Sequence, residues 1–187
     1  MGRPSSLALA LVLVLATALL PGCQVAMGQS PPPPPSALAS AGPWATDTNV
    51  AWGELQRALV GTWKATTPEQ RSYRVSYRVV SSGSALVETF TSGTSGKETL
   101  SVYHRDGGAL VMTHYCAQGN QARLKATVAT RETVVFAFLD ATNVGADQDV
   151  MQRLSIVLRP DGFDQISVYR RPDGVEESAT LRFFRGD

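Results

Sequence analysis

From Trp63 to the end of the chain, apolar residues recur at every second position in short runs, and the runs end in clusters of Gly, Pro, Asp, Asn or Ser. This rhythm is the tightest constraint on the fold, because period two places alternate side chains on opposite faces of a strand, whereas a helix needs a period near 3.6. Tyr73, Val75, Tyr77 and Val79 alternate with Arg74, Ser76 and Arg78, giving one apolar and one polar face. Ser82-Gly83-Ser84, Ser92 to Gly96, Asp106-Gly107-Gly108, Ala117 to Asn120, Pro160-Asp161-Gly162 and Pro172-Asp173-Gly174 supply turns between successive runs. Asp140 to Asp149 is the longest break. The count is about ten short strands joined by tight turns. Such a meander closes most economically into an up-and-down antiparallel β-barrel, because closure removes both exposed edges. A sandwich would need longer crossovers.

The rhythm is different just upstream. Trp52, Leu55 and Leu59 recur at i, i+3 and i+7, the spacing of a short amphipathic helix running into Gly61. This predicts a helix that closes one end of the barrel. Gly61 would allow close backbone approach, and Trp63 would be the first large inward side chain.

The first thirty residues read as an export signal. Arg3 gives a basic start, and Leu7 to Leu20 is an apolar run too short to span a bilayer comfortably. The run ends in Leu20-Pro21-Gly22-Cys23, which resembles the lipobox of bacterial lipoproteins. That resemblance implies a signal peptide over residues 1–22 and lipidation at Cys23. Gln24 after the cysteine implies outer-membrane sorting, with the domain facing the periplasm. Pro21 departs from the usual lipobox residue, and Ala26-Met27-Gly28 offers a conventional cleavage site, so a secreted protein is the alternative. Residues 24–48 carry Pro31 to Pro35 among small polar residues, the composition of an extended, disordered tether. Residues 49–187 then form one domain.

Seventeen Lys plus Arg stand against sixteen Asp plus Glu, with no basic run longer than Arg170-Arg171, so nucleic acid is not an expected partner. The chain has two cysteines. With Cys23 lipidated, Cys116 has no partner for a disulfide, and stability must come from the core.

A helix leading into Gly61-x-Trp63, a β-meander and an arginine near the end of the last strand together resemble the calycin superfamily of lipocalins, fatty-acid-binding proteins and nitrobindin-like haem barrels. The resemblance implies that Trp63 packs across the closed end against Arg182 or Arg185, a cation–π contact of about 0.5–2 kcal/mol. The hairpin Thr113 to Arg123 is also similar to an uncharacterised group of bacterial lipocalin-like lipoproteins, which have Pro at the place of Ala122. That second resemblance covers nearly the whole domain and implies no activity.

Leu110, Met112, His114 and Cys116 share one strand face, which reads as the barrel interior. His114 is the best single candidate for a cofactor ligand, haem above all, against the alternative of a hydrogen-bonded core histidine. No second ligand lies at zinc spacing, so no metal site is expected. His114 and Cys116 project in parallel and do not converge as a nucleophile pair, and nothing nearby marks an oxyanion hole, so no enzymatic activity is expected. Fatty-acid-binding barrels fix a ligand carboxylate with an interior arginine and a tyrosine. By that resemblance Arg123 would point into the cavity with Tyr73 or Tyr77 nearby, against the alternative of a solvated outer face. The expected ligand site is therefore His114, Arg123, Tyr73, Tyr77 and Met112, taking a small hydrophobic or amphipathic molecule. The rival is a barrel filled by its own side chains, Phe90, Phe136, Phe138, Tyr169 and Phe184 among them, that acts through an envelope protein partner.

Overall fold

The computed structural model describes residues 47–93 and 95–186. The signal peptide, Cys23 and the proline run lie outside the described residues. Helix α1 spans Thr48–Leu59 and is followed by ten strands: β1 Gly61–Thr66, β2 Ser72–Val80, β3 Ala85–Ser92, β4 Glu98–Asp106, β5 Ala109–Tyr115, β6 Gln121–Ala129, β7 Thr133–Thr142, β8 Val150–Arg159, β9 Gly162–Arg170 and β10 Glu176–Arg185. Each strand pairs antiparallel with its sequence neighbour, and β10 returns to β1, so the sheet is a closed barrel. The all-β, up-and-down architecture with a short N-terminal helix is the one the period-two pattern predicts.

Helix α1 closes one end. Asp47 caps it, its carboxylate accepting from the backbone N–H of Asn49 at 3.1 Å and of Val50 at 3.0 Å. Ala51, Trp52, Leu55 and Leu59 are buried against the barrel. The polar residues of the helix tie it to the hairpin turns at that end. Thr48 donates to Gly108 O at 2.9 Å, Gln56 to Gly83 O at 2.8 Å, and Glu54 pairs with Arg131 at 3.1 Å.

Trp63 sits beneath the helix and donates its indole N–H to Leu59 O at 2.6 Å. The Arg185 guanidinium lies 4.0 Å from the Trp63 ring centre and donates to Val60 O at 2.9 Å. Arg185 is therefore the arginine over the tryptophan. Arg182 instead bonds Asp164 at 2.8 Å and Asp161 at 2.6 Å on the outer surface. Gly61 adopts φ +124°, so the glycine is needed for its conformation, and a Cβ there would fall 2.3 Å from the Arg185 guanidinium and displace it.

The interior near the closed end is aromatic. Trp63 meets Phe163 edge-on at 5.2 Å, and Phe163 stacks on Phe183 at 5.0 Å. Two expected interior residues are exposed: Phe184 is 48% exposed and faces outward, and Phe138 is 39% exposed although it pairs with buried Leu124. Phe184 is displaced because its neighbour Phe183 pairs with Phe163 and takes the inward parity. Phe138 lies where β7 parts from β8, whose pairing runs only from Thr133↔Val157 to Ala137↔Arg153. The β1–β10 seam is shorter still, paired at Trp63↔Arg185 and Lys64↔Phe184 alone. Both seams are paired toward the helix-capped end and part toward the opposite end, which is the barrel's mouth.

Candidate functional site

Glu88 occupies the centre of β3, with Leu86 and Phe90 on the same face, so the strand's alternation aims its carboxylate into the barrel. It is 3% exposed. Tyr77 on β2 donates to Glu88 Oε2 at 2.8 Å and Tyr103 on β4 donates to the same oxygen at 2.5 Å. Ser101, two residues before Tyr103 on the same face, lies 3.4 Å from Oε1. Gln165 on β9 reaches across the barrel to both oxygens, at 3.5 and 3.4 Å. Hydroxyl and amide donors converging in this way suit an ionised carboxylate, which can only accept.

The network continues toward the mouth. Ser101 Oγ is 3.1 Å from His114 Nδ1, and His114 Nε2 is 3.2 Å from the Tyr169 hydroxyl. One consistent set of protons runs Tyr169 O–H to Nε2, Nδ1–H to Ser101, and Ser101 O–H to Glu88, every donor pointing toward the carboxylate. A cavity of about 100 Å³ opens beside it, lined by polar Glu88, Thr99, His114, Gln165, Ser167 and Tyr169 and by apolar Phe90, Met151, Leu154 and Leu181.

Burial decides the protonation chemistry. Desolvation pushes the Glu88 carboxyl above its ordinary value, although hydrogen bonds from Tyr103, Tyr77, Gln165 and Ser101 oppose the shift. Tyr77 and Tyr103 are raised by burial first and by the Glu88 charge second. Burial lowers His114 to about 4, so the imidazole is neutral near pH 7. Among the described residues, no ion pair reaches Glu88, and every salt bridge involves other acids.

The residues expected from sequence divide in two. His114, Met112 and Tyr77 are buried inside the barrel, and Tyr73 is half-buried at the mouth against Phe90, 5.7 Å between ring centres. Arg123 is not inside. Ala122 and Leu124 are both fully buried, so period two sends Arg123 outward, where it forms a bidentate ion pair with Asp140 on the facing strand. Cys116 lies just past the end of β5 and is half-buried, where the next residues turn, Gly119 N–H donating to Cys116 O at 2.9 Å.

The group that anchors the network, Glu88, was missed by the sequence reading, as were Ser101, Tyr103 and Gln165. Their signal was available as a glutamate in phase with Leu86 and Phe90, and a serine in phase with Tyr103. Both His114 nitrogens face hydroxyl groups, and about 100 Å³ lies beside the ring. Cofactor-sized ligands occupy roughly 300–1,000 Å³, so these residues do not fit haem. Among the described residues, no cluster of three or more His, Cys, Asp or Glu could hold a metal ion. No protein-family model matches the chain, and no curated protein matches it.

Proposed function

We propose that this chain is an exported, lipid-anchored barrel of calycin type that binds a small amphipathic molecule at its mouth. The observation that carries the reading is the polar network of Glu88, His114 and Tyr169 beside a cavity of about 100 Å³ toward the mouth of the barrel. Buried polar groups with shifted protonation equilibria, gathered at a cavity, mark functional sites more often than packing cores do. The cavity is sized for a head group. The apolar part of a ligand would lie toward Phe90, Leu181 and the parted β1–β10 seam, contributing about 25 cal/mol per Å² buried. The helix into Gly61-x-Trp63, with Arg185 over the indole, supports the calycin comparison. Lipidation at Cys23 would hold the barrel at the outer membrane, facing the periplasm.

A second reading has its own observation. Where β7 parts from β8, Phe138, Ala141, Val144 and Val150 line an open groove of about 400 Å³, which suits a protein partner in the envelope better than the narrow interior does.

Native mass spectrometry of the chain purified from expressing cells, set against its denatured mass, separates the two. An excess mass lost on denaturation supports the interior ligand, and haem would be recognised by its own mass. A bare protein mass that persists after incubation with lipid extract favours action through the outer surface. The denatured mass also reads lipidation at Cys23.

A further inference from the structure

We infer that the mouth cavity selects a primary amine, with the ligand's ammonium completing the charge of Glu88. This deepens the ligand-binding reading above and rests on it. The argument starts from what the cavity lacks. Among the described residues no Lys or Arg lines it, and Arg123, the cation expected from sequence, is committed to Asp140 outside. Its one acid is Glu88, buried at 3% exposure and without a cationic partner. A buried charge left unpaired is costly, and a cation brought to it recovers part of that cost.

The two carboxylate oxygens are not used alike. Oε2 takes the Tyr77 and Tyr103 hydroxyls at 2.8 and 2.5 Å, whereas the partners of Oε1 stand off at 3.4 and 3.5 Å. Oε1 therefore keeps acceptor capacity for a nearby donor, and Glu88 lines the cavity. When Tyr169 donates to His114, its own oxygen is a second acceptor there. An ammonium carries three donors and no acceptor, so two of its donors suit these acceptors and the Thr99 and Ser167 hydroxyls in the lining offer an acceptor for the third. A ligand carboxylate would meet Glu88 as a like charge and find no cation. The cavity of about 100 Å³ admits an ammonium and its first few carbons, because one water needs only about 10–15 Å³ by this measure.

The test titrates the purified full chain calorimetrically with hexylamine, hexanoate and 1-hexanol, which share a tail and differ in head group. The expected order is hexylamine tightest, hexanol weaker and hexanoate weakest. In E88Q, which keeps the side-chain shape, hexylamine affinity is expected to fall by roughly thirtyfold or more while hexanol holds. Hexanol binding as tight as hexylamine, or hexanoate binding tighter, overturns the amine preference and leaves the ligand-binding reading standing. No binding by any of the three overturns both. The wild-type series decides the matter even if E88Q does not fold.

Discussion

At the scale of single residues, the interior is governed by one carboxylate and the hydroxyls that hold it. Hydrogen bonds to a charged group contribute about 1.5–3 kcal/mol and neutral ones about 0.5–1.5 kcal/mol. Tyr103 donates to Glu88 from full burial, whereas Tyr169 meets a neutral imidazole from a half-buried position. Tyr103→Phe should therefore cost about 2–3 kcal/mol in urea unfolding and Tyr169→Phe about 1 kcal/mol. Equal losses would mean that Glu88 is protonated and the Tyr103 bond is an ordinary neutral one. The same residues show what the sequence could and could not convey. Period two fixes which side chains of one strand share a face, so Met112 and His114 could be placed together, whereas Tyr77 on another strand entered by resemblance. It does not say which face is inside. Arg123 was assigned to the interior by analogy, although Ala122 and Leu124, the smaller and more apolar neighbours, already claimed that side. Glu88 stands in phase with Leu86 and Phe90, and that phase alone places its carboxylate on the inward face.

At the scale of elements, the helix and the turns were legible because they depend on neighbours in the chain. Trp52, Leu55 and Leu59 carry the helical period and are the residues that α1 buries. Gly107-Gly108 forms the two-residue connection between β4 and β5, with Gly107 at φ +56°. Contacts between distant elements were less legible, since either Arg182 or Arg185 could have met Trp63. The structure makes the difference testable. Arg185→Ala loses the contact over the indole and the bond to Val60 O, and should cost about 1–3 kcal/mol. Arg182→Ala loses ion pairs on the outer surface, which solvent screens, and should cost less than Arg185→Ala. Thermal unfolding of the two variants side by side checks the ranking. The β9–β10 pair has a harder constraint. A Cβ at Gly162 would lie 1.9 Å from the Phe183 carbonyl oxygen, a backbone atom that can move only by breaking the ladder. Gly162→Ala should reach about 4 kcal/mol or more, the range of severe core disruption, and lower the yield of folded protein. A fully folded Gly162→Ala with unchanged melting temperature would show that the strands do not approach this closely.

At the scale of the whole molecule, the buried network couples stability to pH, and the groups in it pull in opposite directions. His114 titrates at about 4 in the fold against 6.5 for the free side chain. Between those values the unfolded chain binds a proton that the folded chain refuses, so stability falls as pH drops through that window and levels off below it. At about 1.36 kcal/mol per pH unit of separation, the full loss is about 3 kcal/mol. Glu88 works against this. Its carboxyl is raised by burial, so the folded chain takes up a proton before the unfolded chain does, and the fold gains stability as pH falls toward the ordinary glutamate value. Asp140, held below its ordinary value by the Arg123 hydrogen bond, adds a loss only at lower pH, where unfolded aspartates begin to protonate. Between pH 6.5 and about 5 Asp140 contributes nothing, so this window sets the loss from His114 against the gain from Glu88 alone. Urea unfolding across that window should show stability decreasing in the wild type, and a flatter profile in His114→Gln, which keeps a hydrogen-bonding side chain and cannot take up the proton. A wild-type profile that rises instead as the solution is acidified would mean that Glu88, rather than His114, dominates the buried network.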